Sequence, residues 1–472
     1  MLGQAGGPSP SRILVGALVL AAAACGARGA LPGVGGGSGE GGGPNAGGGP
    51  STSGGPGTGG GAGGDGGSGG APSGFCPALI AVEPTLELPA PSPSDNAGAP
   101  LLLRLTEGRV LVLAGFTPAE SPGPVPTVLA GVALEPWGSW PPAAGPHSVF
   151  DTAADSAPFT ARREPQGETL ALAFQRFPTN APPGCQLGAY YGLSPDAPPG
   201  PTALQLLLNG SCDDAPIAIA TAGNGLHFVA NDIALLPGVR GVVAHVLDAS
   251  GAPVHSLPPL CASTRIPGDV LPREQRFLFA HAAGDPDECF GAPNALPGPG
   301  RRLLLRRISA DEDETTELYA GTDDLVDVRL LPRADGAWLL ARESGASALV
   351  APPGFAMRLG PGDAVGDPFE VTATGSDRMA AAALGDGFVT AFTDSIDPSA
   401  PTVILRVFSP EGAASAEASF STNGAWFTNQ RLALLGAPGP GSILVAWVGQ
   451  PSGDGPQSLL LRRYDCVGGG GE

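Results

Sequence analysis

An apolar strand ending on alanine recurs seven times along the chain, and this repeat limits the available folds more than any other feature. The segments are Val110–Ala114, Leu170–Ala173, Leu226–Ala230, Phe277–Ala280, Trp338–Ala341, Phe388–Ala391 and Ile443–Ala446. The spacings between their alanines are 59, 57, 50, 61, 50 and 55 residues. A second apolar strand follows each alanine, centred 15 to 17 residues on except in the fourth unit, which carries an insertion. It reads Leu303–Ser309, Val403–Ser409 and Leu459–Asp465 in late units, and Val242–Asp248 and Phe355–Leu359 in others. The weakest versions are Leu187–Leu193 and Val128–Leu134. Turn sequences such as Ser409-Pro410-Glu411-Gly412 and Asp248-Ala249-Ser250-Gly251 close it.

Each unit leaves room for two more strands. One precedes the alanine strand, as in Gln430–Leu435 or Asp377–Ala383. Another follows the turn, as in Ser415–Phe420 or Pro368–Thr372. No long stretch has the 3.6-residue period of a helix. Four strands in about 55 residues, seven times over, predict an all-β chain folded as a seven-bladed β-propeller. A lone four-stranded sheet exposes two apolar faces, and stacking blades around an axis buries both. Separate β-sandwiches would need about 100 residues each. The small alanine column suits the crowded region near the axis.

The last unit is one strand short. Its third strand ends at Cys466, followed by Val467 and a glycine tail. The segment Cys76–Val82 precedes the first unit and has no blade of its own. It is predicted to pair antiparallel with that third strand and close the ring. Cys76 would then lie beside Cys466, and a disulfide between them would staple the seam. Of seven cysteines, setting Cys25 aside leaves six, an even number that favours disulfides in an exported chain. The repeat frame suggests Cys185–Cys212 and Cys261–Cys289 for the others, all four in loops at one end of the ring.

Asp386-Gly387-Phe388-Val389-Thr390-Ala391-Phe392, taken with Ile404–Gly412, resembles the units "DGGFVVAW…VYAQRFDADG" of bacterial surface repeat proteins. Gly441–Trp447 with Leu459–Asp465 is similar. The resemblance extends loosely over about 76–466. It implies surface exposure and binding, not chemistry.

The N-terminus points to export. Ile13–Ala24 is a run of 12 apolar or small residues after Arg12, a signal-peptide core too short to span a bilayer. It runs into Ala22-Ala23-Ala24-Cys25, which resembles a bacterial lipobox with Cys25 as the lipidated mature N-terminus. Ala22 stands where that motif usually has Leu, and ordinary signal-peptidase cleavage after Ala24 also fits. Gly26 follows the Cys in place of Asp, which favours outer-membrane sorting. The expected location is the outer membrane or surface of a Gram-negative cell, with a periplasmic or secreted form as the alternative. Residues 31–74 hold 24 of the chain's 75 glycines, a composition that cannot bury a core. At 5–6 Å × √n this tether would reach roughly 40 Å. The expected organisation is a signal peptide (1–24), lipidated Cys and tether (25–75), propeller (76–467) and tail (468–472). Gly66-Gly67-Ser68-Gly69-Gly70 matches a serine-hydrolase elbow by composition alone, because no strand or helix flanks it.

The chain has no Lys; its 24 basic residues are arginines against 44 Asp and Glu, a net charge of −20. Nucleic acid and anionic membrane surfaces are therefore poor partners. Candidate chemistry is sparse. His227 and His245 fall on adjacent strands, but zinc would need a third ligand, and His147, His255 and His281 supply no pattern. Asp311-Glu312-Asp313-Glu314 reads as a solvated turn more readily than a calcium loop. Ser421–Trp426 lacks the Asp and the spacing of a sialidase Asp box. The suggestive set is Arg104, Arg163, Arg329, Arg378 and Arg431, one on each of five inner strands. Facing the channel, they would give an anionic protein a cationic axis able to take anionic sugars or carboxylates. The expectation is a monomeric, lipid-anchored propeller that binds a protein or glycan partner, without cofactor, metal or catalysis. A degenerate glycosidase-like hydrolase and an envelope scaffold are the alternatives.

Overall fold

The computed structural model describes residues 75–467 apart from 89–94, 119–127, 142–147, 153–158, 166, 177–184, 196–203, 211–213, 237–238, 263–266, 285–299, 346–351, 395–401, 423–431, 438–440 and 450–456. Cys25, the tether, the tail, His147, Cys212, Cys289 and Arg431 lie outside the described residues.

Strand β1 (Ala78–Leu88) comes first and belongs to the last blade. Blade one is β2 (Asp95–Arg104), β3 (Val110–Pro118), β4 (Val128–Leu134) and β5 (Ser148–Thr152). Blade two is β6 (Phe159–Arg163), β7 (Leu170–Arg176), β8 (Cys185–Leu193) and β9 (Leu204–Gly210). Blade three is β10 (Ala215–Thr221), β11 (His227–Leu236), β12 (Val239–Leu247) and β13 (Pro253–Ala262). Blade four is β14 (Gly268–Pro272), β15 (Phe277–Ala283), β16 (Arg302–Ile308) and β17 (Asp313–Ala320). Blade five is β18 (Leu325–Arg333), β19 (Gly336–Glu343), β20 (Phe355–Leu359) and β21 (Phe369–Glu370). Blade six is β22 (Ser376–Leu384), β23 (Gly387–Asp394), β24 (Thr402–Phe408) and β25 (Ala414–Ser421). Blade seven is β26 (Ala433–Gly436), β27 (Ser442–Gly449), β28 (Ser458–Val467) and β1.

The seven inner strands β2, β6, β10, β14, β18, β22 and β26 each contact the next, and β26 contacts β2, so the ring is closed. The chain is a seven-bladed β-propeller. Strand β1 supplies the fourth strand of blade seven, antiparallel to β28, with Leu79 opposite Cys466 and Leu88 opposite Leu459. It runs six residues beyond the predicted Val82, past a register shift between Val82 and Leu86. A disulfide joins Cys76 to Cys466 across 390 residues of sequence.

Seven apolar clusters fill the seams between adjacent blades. Each repeat alanine lies in one of them and is at most 1% exposed. The seam between blades seven and one joins Ala446 and Leu461 to Val112, Ala114 and the N-terminal Leu88. The seam between blades five and six is aromatic, with Trp338 against Phe388 and Phe408. At about 1.5–3 kcal/mol for each fully buried large side chain, these seams are the core.

Two expectations need correction. The alanine does not end its strand: β11 continues to Leu236 and β19 to Glu343. The two residues directly past the alanine are polar in both strands, Asn231 and Asp232 in one and Arg342 and Glu343 in the other. The carboxylate of each pair finds a partner beside the strand. Asp232 accepts from Arg240 Nε at 2.7 Å, and Glu343 accepts from Tyr319 at 2.6 Å. Cys185 and Cys261 fall within strand ends, opposite Gly210 and Gly241, and not in loops. The ladder runs further than the apolar pattern does, because backbone pairing needs no apolar side chain.

The Asp-Gly step before the alanine strand has a steric cause. A Cβ on Gly336 would overlap the Leu359 carbonyl oxygen, and one on Gly387 would overlap that of Phe408 and the Phe75 ring. In both blades the third strand closes over the glycine. Gly336→Ala or Gly387→Ala should therefore lower unfolding free energy by about 1–3 kcal/mol. Gly441→Ala, with no atom within 4 Å, should change it by less than about 0.5 kcal/mol. Chemical denaturation of the three variants checks this ordering.

Candidate functional site

The axis of the ring is lined by the inner strands, and pairing with the alanine column sets a common level on them. Pro100, Thr160, Ala218, Asp269, Ala380 and Ala433 stand opposite the column alanines. Arg378 comes two residues before that level. Arg329 pairs with Leu340 and sits one residue past it. Arg163 is three residues past it and Arg104 four. At about 3.3 Å per residue, Arg378 and Arg104 are separated by roughly 20 Å along the strand direction. The arginines singled out in the sequence therefore do not form one ring; two of the four described ones gather at one end.

The middle of the axis holds an ion pair that sequence reasoning missed. Arg162 of β6 donates to Asp269 of β14 at 2.9 Å, passing the intervening inner strand of blade three. The other Asp269 oxygen accepts the Leu330 N–H of blade five at 2.9 Å. One carboxylate thus ties blades two, four and five together. Asp327, at φ 55°, repeats the device. It accepts Arg342 Nε at 3.2 Å and the Met379 N–H of blade six at 3.1 Å. The signal lay in the register: Asp269 faces the column alanine, a level the apolar pattern alone does not place. Of the pair Arg162-Arg163, the structure assigns the ion pair to the neighbour of the predicted residue.

Each inner strand ends where a short turn leads into the second strand, so all seven finish at one end of the ring. The disulfide lies at this hairpin end, where β28 finishes and β1 begins. A cleft of about 230 Å³ opens there. Arg104, Arg333 and Asp386 give it polar groups, and Ala383, Gly385 and Ala437 leave it room. Arg104 donates from Nη2 to the Gly436 carbonyl of blade seven. Arg333 stacks 4.6 Å from the Trp338 ring centroid and donates to the Pro410 carbonyl at 2.7 Å. Asp386 accepts the Ala334 N–H at 3.0 Å. Burial, and then the nearby charge of Arg163, lower the Arg104 pKa from its ordinary value. The Nε atoms of Arg104 and Arg163 are both buried without a hydrogen-bond partner among the described residues.

A polar chain crosses the seam of blades two and three. Buried Glu164 accepts Thr221 Oγ1 at 2.7 Å and the Gly192 N–H at 3.1 Å. Thr221 in turn meets His227 Nδ1 at 3.0 Å. The Tyr191 ring covers His227 with centroids 4.1 Å apart, and its hydroxyl donates to the Phe228 carbonyl. His245, although on an adjacent strand, turns to Ser256 at 2.9 Å. Among the described residues no group of three His, Cys, Asp or Glu could hold a metal ion. Of the acidic run read as a solvated turn, Asp313 and Glu314 instead open strand β17, where Asp313 pairs with Arg306 and Glu314 with Arg307 of the neighbouring strand.

No family model matches the sequence, and no curated protein matches it. Solved structures resemble it in shape at low identity. A protein of unknown function from Dyadobacter fermentans is 11% identical, with TM-score 0.47 over 83% of this chain and 100% of its own. The α-L-arabinofuranosidase of Fusarium graminearum is 11% identical, with TM-score 0.45 over 81% of this chain and 97% of its own. The Trypanosoma rangeli sialidase is 10% identical, with TM-score 0.38 over 83% of this chain and 60% of its own.

His281 is fully buried, with Nδ1 3.1 Å from the Ala282 carbonyl and Nε2 without a partner. It stacks on Phe279 at 4.7 Å in the seam of blades three and four. Burial foremost, with a smaller contribution from the Arg306 charge, holds its pKa down at about 3. Burial also lowers His227 and His245. A histidine held neutral in the fold stabilises fully above its unfolded pKa. That contribution falls by about 1.4 kcal/mol per pH unit below pH 6.5, until the folded pKa is reached. Denaturation midpoints should therefore drop between pH 7 and pH 4, and drop less in His281→Leu. An equal drop in both proteins would remove His281 as the cause.

Proposed function

We propose that the protein is an exported, lipid-anchored component of a bacterial envelope whose propeller binds a protein or glycan partner. The observation that carries this reading is the Cys76–Cys466 bond at the ring seam. Disulfides persist in oxidising compartments outside the cytosol, and this one joins the two strands that close the fold. The apolar run before Cys25 and the lipobox-like Ala22-Ala23-Ala24-Cys25 support the same compartment. A tether rich in glycine would carry the ring clear of a bilayer pinned at Cys25.

Binding is favoured over catalysis by the state of the axial carboxylates. Asp269 and Asp327 are each held by an arginine and a backbone N–H, and Glu164 by a hydroxyl and an N–H. A general acid or nucleophile must instead be presented to substrate. These carboxylates hold blades to one another.

Mass spectrometry of the native, non-reduced protein tests the placement. The expected result is an acylated Cys25 at the mature N-terminus and a peptide linked through Cys76 and Cys466. A free Cys25 thiol together with reduced Cys76 and Cys466 would overturn it. Capture from cross-linked intact cells should enrich one envelope partner. Turnover of members of a glycan panel would replace binding with hydrolysis.

A further inference from the structure

The hairpin end of the axis carries positive charge that the fold does not answer. Arg104 ends β2 and Arg163 ends β6, on neighbouring inner strands. Among the described residues Arg104 has one bond, to a carbonyl of blade seven, and that acceptor is neutral. Arg163 has neither a hydrogen bond nor an ion pair among the described residues, although it is half-buried. Both buried Nε atoms lack acceptors. Several other arginines of the ring meet carboxylates, as Arg162 meets Asp269 and Arg307 meets Asp363. Two neighbouring guanidinium groups without a counter-charge repel each other, and an anion between them would relieve that cost.

We propose that Arg104 and Arg163 form a binding site for a ligand carboxylate at the hairpin end of the channel. The proposal deepens the binding role above and rests on it. A carboxylate fits better than a multiply charged anion for two reasons. It matches the planar fork of a guanidinium, and a chain of net charge −20 repels dianions more strongly. The adjoining cleft, about 230 Å³, is below the ~300–1,000 Å³ of drug-sized sites. It accommodates one small head group, such as a sugar acid or a peptide terminus. Arg104 lines that cleft with Arg333 and with Ala383, Gly385 and Ala437, which present little bulk. The Asp386 carboxylate on its wall would take hydroxyl donors of the head group and not the ligand carboxylate itself.

Titration of the full chain with glucuronate and, separately, with N-acetylglycine tests this. Glucose is the neutral control and inorganic phosphate the dianion control. The expected result is that at least one carboxylate binds, glucose does not, and phosphate binds more weakly. The tighter of the two carboxylates identifies a sugar acid or a peptide terminus as the source. Arg163→Gln should weaken binding about tenfold or more, as loss of a charge-assisted bond does. Arg378→Gln, toward the other end of the ring, should leave binding unchanged. Arg163→Gln should also raise the ligand-free melting temperature, because it removes repulsion; loss of a purely structural arginine would lower it. Failure of both carboxylates to bind, or unchanged binding in Arg163→Gln, overturns the site. Partner capture from cells is read separately, so this site can fail while the wider binding role stands.

Discussion

Strand β1 pairing with β28 is the contact on which the rest of the ring depends. A propeller blade has two apolar faces, and each is covered only if a neighbour stands on both sides. Without closure, the seam between blades seven and one would open and leave Leu444, Ala446, Leu459 and Leu461 facing water beside Val110, Val112 and Ala114. The N-terminal strand closes this gap from two directions. Its ladder completes the last sheet, and its Leu88 enters the seam with blade one. The Cys76–Cys466 bond fixes the start of that strand against the end of the chain. In an open-chain entropy account a bridge over so long a loop contributes on the order of 4–5 kcal/mol.

Closure also explains why polar groups are found near the axis. Apolar packing can press blades together without fixing their angle, whereas a hydrogen bond has a direction. Asp269 and Asp327 each reach from an inner strand to a backbone N–H on the next blade. Glu164, just past β6, crosses the seam of blades two and three by accepting the Thr221 hydroxyl. These ties appear where the inner strands crowd and side chains are small. They do not reach Arg104 and Arg163 at the hairpin end, whose buried Nε atoms have no acceptor among the described residues.

What the sequence revealed depended on whether a side chain's own type identified its place. Val128–Leu134, one of the two weakest versions of the second strand in the sequence, is β4 to the residue, because its distance from the repeat alanine placed it where its composition did not. The alanine column and the partnership of Cys76 with Cys466 followed from counting strands per unit. The inner strands were less legible. Their residues mix Arg, Asp, Pro and Ala, and register shifts interrupt β2, β10, β18 and β22 against their neighbours. A shift of one residue exchanges the two faces of a strand. Arg162 and Arg163 are successive residues of the unshifted β6 and so point to opposite faces, and nothing in the sequence showed which face would meet Asp269. Asp269 gave no sign of its role, since one Asp among many has no pattern.

Hydrogen exchange of the native protein, read by mass spectrometry on peptides covering β1, β27 and β28, tests ring closure most directly. The account predicts that β1 amides from Leu79 to Leu88 exchange as slowly as those of β27, in one cooperative unit with the rest of the ring. Rapid exchange of β1 while β27 and β28 stay protected would contradict it, because blade seven would then stand without its fourth strand.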